Sequence, residues 1–225
     1  MGLVALLGDV HGNLEALNAV LADIATRNVD EIYGLGDIVG YGPNPNECAE
    51  IFRQLEINSV VGNHDMTSID LLDIDMVTDE AKKSFIWTNR QLTPINKDFI
   101  YTRAVKLRVD GMYLVHGSPQ NPTEDYVFPK NITEAIFEGV PDPILVLAHT
   151  HIPFIGYAGN RMVLNPGSVG QPRLKSDNAT YALVDTQNKE ANIIYVPYDV
   201  MTTVRKIQES GLPNSLAERL TRHDN

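Results

Sequence analysis

The chain has 225 residues, 43% of them hydrophobic, and its 18 Lys and Arg against 29 Asp and Glu give a formal net charge of −11. That length can bury a large core in one layered domain, while the acidic balance, with no run of basic residues, excludes a surface built to grip long nucleic acid. A single cysteine, Cys48, excludes an internal disulfide and suits a reducing cytosol, and no stretch approaches the roughly 20 apolar residues of a membrane span.

The expectation is one cytoplasmic domain over residues 1–225, without repeats or linkers. The apolar start, Met1 to Leu7, is too short for a signal peptide, and Leu6 stands where myristoylation requires Ser or Thr. Leu3–Leu7 reads as a strand ending at Gly8-Asp9-Val10-His11-Gly12. Leu14, Leu17, Val20, Leu21 and Ile24 then mark one helical face, with Asn13 as its N-cap. Glu31–Leu35 ends at Gly36-Asp37, Cys48, Ile51, Phe52 and Leu55 give a shorter helix, and Ile57–Val61 ends at Gly62-Asn63-His64. Short apolar runs bounded by turn formers are buried strands, so the first half is βαβαβ with parallel strands.

Residues 66–100 read as a helical, cap-like insertion, in which Thr78–Leu92 is an exposed helix carrying the one tryptophan, Trp87. Val105–Val109 then alternates and turns at Asp110-Gly111 into Met112–Val115, which ends at His116. Ile144–Ala148 ends at His149-Thr150-His151. Phe154–Tyr157 with Arg161–Leu164, and Thr180–Asp185 with Asn192–Val196, make further hairpins, and a helix near Val200–Glu209 stops at Gly211 before a short amphipathic tail. About ten strands of mixed direction are too many for one twisted sheet, so the fold class is α/β, with two stacked sheets flanked by helices.

The chemistry gathers at strand ends. Asp9 and His11, Asp37, Asn63 and His64, His116, and His149 with His151 each follow the carboxyl end of a predicted strand, where α/β sheets place their ligand crevice. His223 alone lies elsewhere, in the tail. An isolated Asp-x-His at a turn is more often a cap than a catalytic pair. Convergence of the whole set at one sheet edge points instead to a metal site. Imidazoles, carboxylates and a carboxamide without thiolate suit Mn²⁺, Fe²⁺, Co²⁺, Ni²⁺ or Zn²⁺, with Mn²⁺ the expected ion. Seven candidate ligands suit two ions rather than one.

Gly8-Asp9-Val10-His11-Gly12, Gly36-Asp37, Gly62-Asn63-His64-Asp65, His116 and His149-Thr150-His151, in that order, resemble the motif set of the calcineurin-like binuclear metallophosphoesterases. Asn165-Pro166-Gly167-Ser168 with Pro172-Arg173 resembles their small bacterial and archaeal phosphodiesterase branch. The resemblance implies a four-layer α/β/β/α sandwich of two stacked mixed sheets. It implies that Asp9, His11 and His151 hold one metal and Asn63, His116 and His149 a second, with Asp37 bridging. It implies further that a hydroxide bridging the metals attacks phosphorus in line, that His64 protonates the leaving oxygen or steadies the phosphate, and that Asp65 helps to orient His64. Ala148 departs from the glycine that many relatives carry there.

Cations focused at one mouth of an acidic protein favour small phosphodiesters, cyclic nucleotides or dinucleoside polyphosphates as substrates, with neither long nucleic acid nor membrane as partner. Phosphomonoesters and phosphoproteins are the runner-up. The alternative from another class is a non-catalytic protein-binding scaffold of the same fold, as in a retromer subunit lacking the catalytic histidine, against which the presence of His64 stands. A dinucleotide fingerprint over residues 34–40 is broken by Val39, and the chain has no P-loop. Tyr41, in a Pro/Gly loop following Asp37, is a candidate to stack a base or to pack against its own turn. Asn13, Tyr126 and Arg173 are candidates to approach the phosphate or the leaving group.

Overall fold

The computed structural model describes residues 2–74, 77–173 and 177–221; Asp75 and Met76 of the expected insertion, and His223 in the tail, lie outside these. Strand β1 (Leu3–Leu7) is buried on both faces. Ala5 and Leu7 pack under helices, while Val4 and Leu6 point between the two sheets, as the period of two requires. β1 runs parallel to β2 (Glu31–Gly34), which runs parallel to β3 (Asn58–Ser59). On its other side β1 pairs antiparallel with β9 (Ala179–Asp185), which forms the expected hairpin with β10 (Glu190–Val196).

The second sheet has the order β4 (Lys106–Val109), β5 (Met112–Val115), β6 (Ile144–Val146), β8 (Arg161–Asn165), β7 (Phe154–Ala158). β5, β6 and β8 are parallel, and the outer two strands are antiparallel to their neighbours. Two mixed five-stranded sheets therefore stack face to face. Val4, Leu6 and Val184 from one meet Leu114, Val146 and Leu164 from the other in the core between them.

Helices α1 (Leu14–Ile24) and α2 (Pro45–Gln54) cover the first sheet. Asn13 caps α1 as expected, its Oδ1 accepting from the backbone N–H of Ala16 at 3.1 Å. The layer over the second sheet is thin: two 3-10 turns, Pro129–Asn131 and Glu134–Phe137, with Ile136 and Phe137 packed over Tyr113, Leu145 and Val163. Two helices had no distinct expectation, α3 (Asn63–Ser68) and α5 (Pro94–Tyr101). Between them, α4 (Asp79–Gln91) is capped by Thr78 and is not simply exposed, because Ser84, Phe85 and Thr88 form a buried face. The chain closes with α6 (Val200–Ser210), ended by Gly211 at φ 84°, and α7 (Asn214–Thr221). No helix among the described residues is long and apolar enough to cross a membrane.

Asp23 ties α1 to the first sheet. Its carboxylate accepts from Arg27 Nε at 2.7 Å and from the Tyr181 hydroxyl of β9 at 2.6 Å. The Arg27 bond, with that from Tyr181, holds the acid below its usual range. Asp23→Asn is therefore expected to lower unfolding stability by about 1 kcal/mol at neutral pH. A depressed carboxylate contributes above its unfolded pKa and loses that contribution as pH falls through the folded one. The gap between the two proteins in urea melts should accordingly narrow from pH 5 towards pH 3; a gap independent of pH would assign the loss to packing.

Candidate metal centre

The carboxyl ends of β1, β2, β3, β5 and β6 converge on one pocket. The expectation of a single sheet edge needs correction: the first three strands belong to one sheet and the other two to its partner, so the site straddles the top of the sandwich. The loops there are strained. Asp9 (φ 53°), His11 (49°), Asp37 (52°), Tyr41 (59°), His149 (65°) and His151 (60°) all adopt the left-handed region, which costs a non-glycine residue about 1 kcal/mol or more.

A dense backbone network holds them there. The His11 N–H donates to Asp37 O (2.8 Å), Gly12 N–H to Ile38 O (2.9 Å) and Gly170 N–H to Asp9 O (3.0 Å). Glycine is obligatory at Gly62, where a Cβ would lie 2.0 Å from Asp37 Oδ1, and at Gly170, where it would lie 1.8 Å from Val10 O. Ala148 is well accommodated: its methyl is buried, facing Gly8 across a gap that a Cβ on Gly8 would narrow to 3.4 Å.

The side chains gather into overlapping groups: Asp9, His11 and His151; His11, Asp37 and His64; and Asp37, His116 and His149. All are buried. His116 Nδ1 and His151 Nδ1 each lie 2.7 Å from a carbonyl oxygen, of Leu35 and Gln171, and His11 Nδ1 lies 3.4 Å from that of Val39. Donation to these carbonyls places the ring proton on Nδ1 and turns a bare Nε2 inward, as at metal-ligating histidines.

His11 Nε2 and His151 Nε2 then face each other at 3.0 Å, while His116 Nε2 faces His149 Nδ1 and Asn63 Oδ1 at 3.1 Å each. Asp9 Oδ1 lies 3.5 Å from His151 Nε2, and Asp37 Oδ2 lies 3.3 Å from His116 Nε2 and 3.7 Å from His11 Nε2. Both oxygens of Asp9 and Oδ2 of Asp37 are buried without a hydrogen-bond partner. Lone pairs turned on one another across 3 Å, beside orphaned carboxylates, fit a cation and little else.

The electrostatics agree. Burial, with the charge of Asp37, pushes Asp9 up to about 8. Burial drives His11 and His151 well below the usual imidazole range, and burial with His116 lowers His149 to about 3. Burial would also lower His116, but the negative charge of Asp37, 3.3 Å from its Nε2, raises it to about 9. Asp37, though buried, is held well below its ordinary value by His116 and His64. Buried carboxylates and imidazoles so displaced from their ordinary values mark a site whose charge balance a divalent ion would restore.

His64 lies beside these groups, 4.7 Å ring to ring from His11 and at the same distance from Phe85 of α4. Its backbone N–H donates to Asp37 Oδ1 at 2.8 Å, and burial lowers its ring to about 4. Its Nδ1 is buried with no partner. Asp65 does not reach that ring. Its carboxylate accepts from Val39 N–H (3.1 Å) and Gly62 N–H (3.2 Å), bracing the loops that carry Asp37 and Asn63.

The substrate candidates separate. Asn13 spends its amide within the fold: Nδ2 donates to Gly170 O and the Tyr198 hydroxyl, and Oδ1 accepts from Ala16 N–H and Thr203 Oγ1. Tyr41 is half-buried between His11, His64 and the C-terminal helices. Arg173 is exposed, and its charge bears on Asp9 and on His11, His64, His149 and His151. Tyr126 is exposed beside His149.

Sequence reading assigned no role to Asn165 or Ser168. Asn165 Nδ2 donates to Ala148 O (2.8 Å) and Ser168 Oγ to Asp9 O (2.8 Å), tying the His149 and Asp9 loops together. Their place in the Asn-Pro-Gly-Ser motif was the available signal.

A profile of the calcineurin-like phosphoesterase superfamily domain matches residues 3–189. An uncharacterized protein of Methanocaldococcus jannaschii is 34% identical, with 97% of each chain covered. Phosphodiesterase YfcE of Escherichia coli K12 is 25% identical over 79% of this chain and 84% of its own. Among solved structures, a metallophosphoesterase from Sphaerobacter thermophilus superposes with a TM-score of 0.87 at 33% identity, covering 99% of both chains.

Proposed function

The chain belongs to the calcineurin-like phosphoesterase superfamily, and from that premise we propose that it is a dinuclear-metal hydrolase of small phosphodiesters or phosphoanhydride-linked dinucleotides. The observation that carries this reading is the pair of ligand clusters meeting at Asp37, whose facing nitrogens and orphaned carboxylate oxygens call for positive charge between them. Asp9, His11 and His151 would hold one cation and Asn63, His116 and His149 the other, with Asp37 shared. When bound, such ions (Mn²⁺ first, then Fe, Zn, Co or Ni) supply Lewis-acid stabilisation of phosphate charge and an activated water at neutral pH.

The protein's own groups do the rest. His64, buried beside both clusters with its Nδ1 unpartnered, would donate towards the leaving oxygen or a phosphate oxygen. Asp65 is a positioning residue, acting through the Val39 and Gly62 amides on the loops either side of His64. Arg173 adds an exposed positive charge near the site, in a chain whose net charge of −11 repels a long polyanion. The name of the Escherichia coli relative supports a diester, and the lone buried Cys48 suits a cytoplasmic protein.

A metal-reconstituted screen tests the reading. With Mn²⁺, bis(p-nitrophenyl) phosphate or a dinucleoside tetraphosphate should be hydrolysed faster than p-nitrophenyl phosphate, and faster than duplex or single-stranded DNA is degraded. Preference for the monoester would move the assignment to a phosphatase, processive nuclease activity would overturn the charge argument, and no turnover with any ion would favour a scaffold.

A further inference from the structure

One side of the centre is closed. Tyr41 donates its backbone N–H to Ser84 Oγ of α4 at 2.9 Å, and its ring lies 4.3 Å from that of His64 and 4.8 Å from that of His11. Behind it α6 and α7 pack through Val204, Ile207, Leu216 and Leu220. Residues 200–221, which the superfamily profile does not reach, are locked in place. Thr203 donates to Asn13 and Glu15, Lys206 to Glu15, and Arg219 to Glu80 of α4 at 2.9 Å. Trp87 Nε1 donates to Ser210 O at 2.9 Å. The space left between His11, Tyr41, Thr203, Ile207 and Leu216 is about 10 Å³, room for one water and none for a base. Tyr41 is packed, not free to stack.

The opposite rim is open and aromatic. Tyr126 is 53% exposed, and its ring lies 3.8 Å from the ring of His149 at an interplanar angle of 36°. Phe128, half-buried, lies nearly parallel to it (12°) at 6.4 Å. The loop that presents Tyr126 is rigid by construction. Gly117 N–H donates to Pro122 O at 2.6 Å, Ser118 Oγ to Asp125 Oδ2 at 2.6 Å, and the next residue, Val127, is buried in the core of the second sheet. Arg173 forms no ion pair among the described residues, yet its charge is felt at both Tyr126 and His149. A stiff exposed ring at the rim of the centre is the arrangement that stacks a base.

We propose that Tyr126 is the surface on which this protein holds the aromatic group of its substrate, a nucleobase or aryl ester. The inference rests on the phosphoesterase reading and narrows its substrate class to diesters carrying an aromatic group on the His149 side.

Calorimetric titration of the Mn²⁺-loaded chain with AMP and with methyl phosphate reads this directly. Tyr126→Ala should weaken AMP about fivefold or more, the low end of base stacking, and leave methyl phosphate within about twofold. Tyr126→Phe should keep both. Equal losses for the two probes in Tyr126→Ala would make the ring a mere support for His149; loss of AMP in Tyr126→Phe would assign the contact to the hydroxyl; and unchanged AMP binding would remove Tyr126 from the site. Each of these overturns the proposal. Turnover of bis(p-nitrophenyl) phosphate and p-nitrophenyl phosphate by the wild-type sample is scored separately: AMP held through Tyr126 without hydrolysis of either would end the phosphoesterase reading and leave the stacking surface standing.

Discussion

Asp37→Ala is expected to give a folded chain that binds no divalent ion tightly at either position and hydrolyses phosphodiesters about 10³-fold more slowly or worse. Asp37 alone belongs to both outer clusters' surroundings: Oδ2 lies 3.3 Å from His116 Nε2 and 3.7 Å from His11 Nε2, with no hydrogen bond of its own. Its removal takes the shared anion from between two ions that would otherwise repel. Several kcal/mol of transition-state stabilisation go with them, and each 1.36 kcal/mol is a factor of ten. Stability supplies a second readout. Ions that bind only the folded chain add RT ln(1 + [L]/Kd), about 2.7 kcal/mol at a hundredfold excess over Kd. For a chain of this size that raises the melting temperature by roughly 5–10 °C. Wild-type protein should therefore melt higher with Mn²⁺ than after chelation, and Asp37→Ala should show no such rise. Two ions per chain in purified Asp37→Ala, by elemental analysis, would sink the assignment of Asp37 as the shared ligand.

The order of elements was legible because burial was. Leu3–Leu7 and Met112–Val115 are unbroken apolar runs closed by turn residues, and a strand covered on both faces has no other appearance. Ile57–Val61 shrinks to Asn58–Ser59, which pairs with Tyr33 and Gly34, while Val60 makes an isolated bridge to Ala104 on the other side. Helix α3 has no apolar period to announce it. Its first turn is Asn-His-Asp, and what starts it is one local bond, the Asp65 carboxylate on Gly62 N–H, and one tertiary bond, Asp37 Oδ1 on His64 N–H.

The same gap separates the ligand set from its geometry. Asp, His and Asn at strand ends identify the chemistry. The left-handed backbone at Asp9, His11, Asp37, His149 and His151 is imposed by hydrogen bonds from loops as far away as residues 168–170, which local sequence does not encode. Tyr41 shows the limit most plainly. A tyrosine between glycines beside Asp37 has the same local sequence whether it faces a substrate or a helix pair more than 150 residues later, and only the packing of α6 and α7 against it decides.

His64→Ala should keep both ions and lose about 10²–10⁴ in kcat, the scale of a lost general acid or a lost transition-state hydrogen bond. Ion content should survive because His64 is not needed to complete either of the outer clusters, each of which has its carboxylate and imidazoles without it. The way the loss depends on the leaving group distinguishes the two roles. Proton transfer matters most when the departing oxygen is basic, so a general acid implies a far larger loss for an alkyl ester than for a p-nitrophenyl ester. A donor that steadies the phosphate serves both equally. Burial holds the His64 ring at about 4, so the imidazole is neutral near pH 7 and acts as a single N–H donor. A similar loss for the two leaving groups, with partial recovery in His64→Gln, is therefore the expected outcome. A loss confined to the alkyl ester would return His64 to proton transfer, and loss of an ion from His64→Ala would make it a ligand and redraw the division between the clusters.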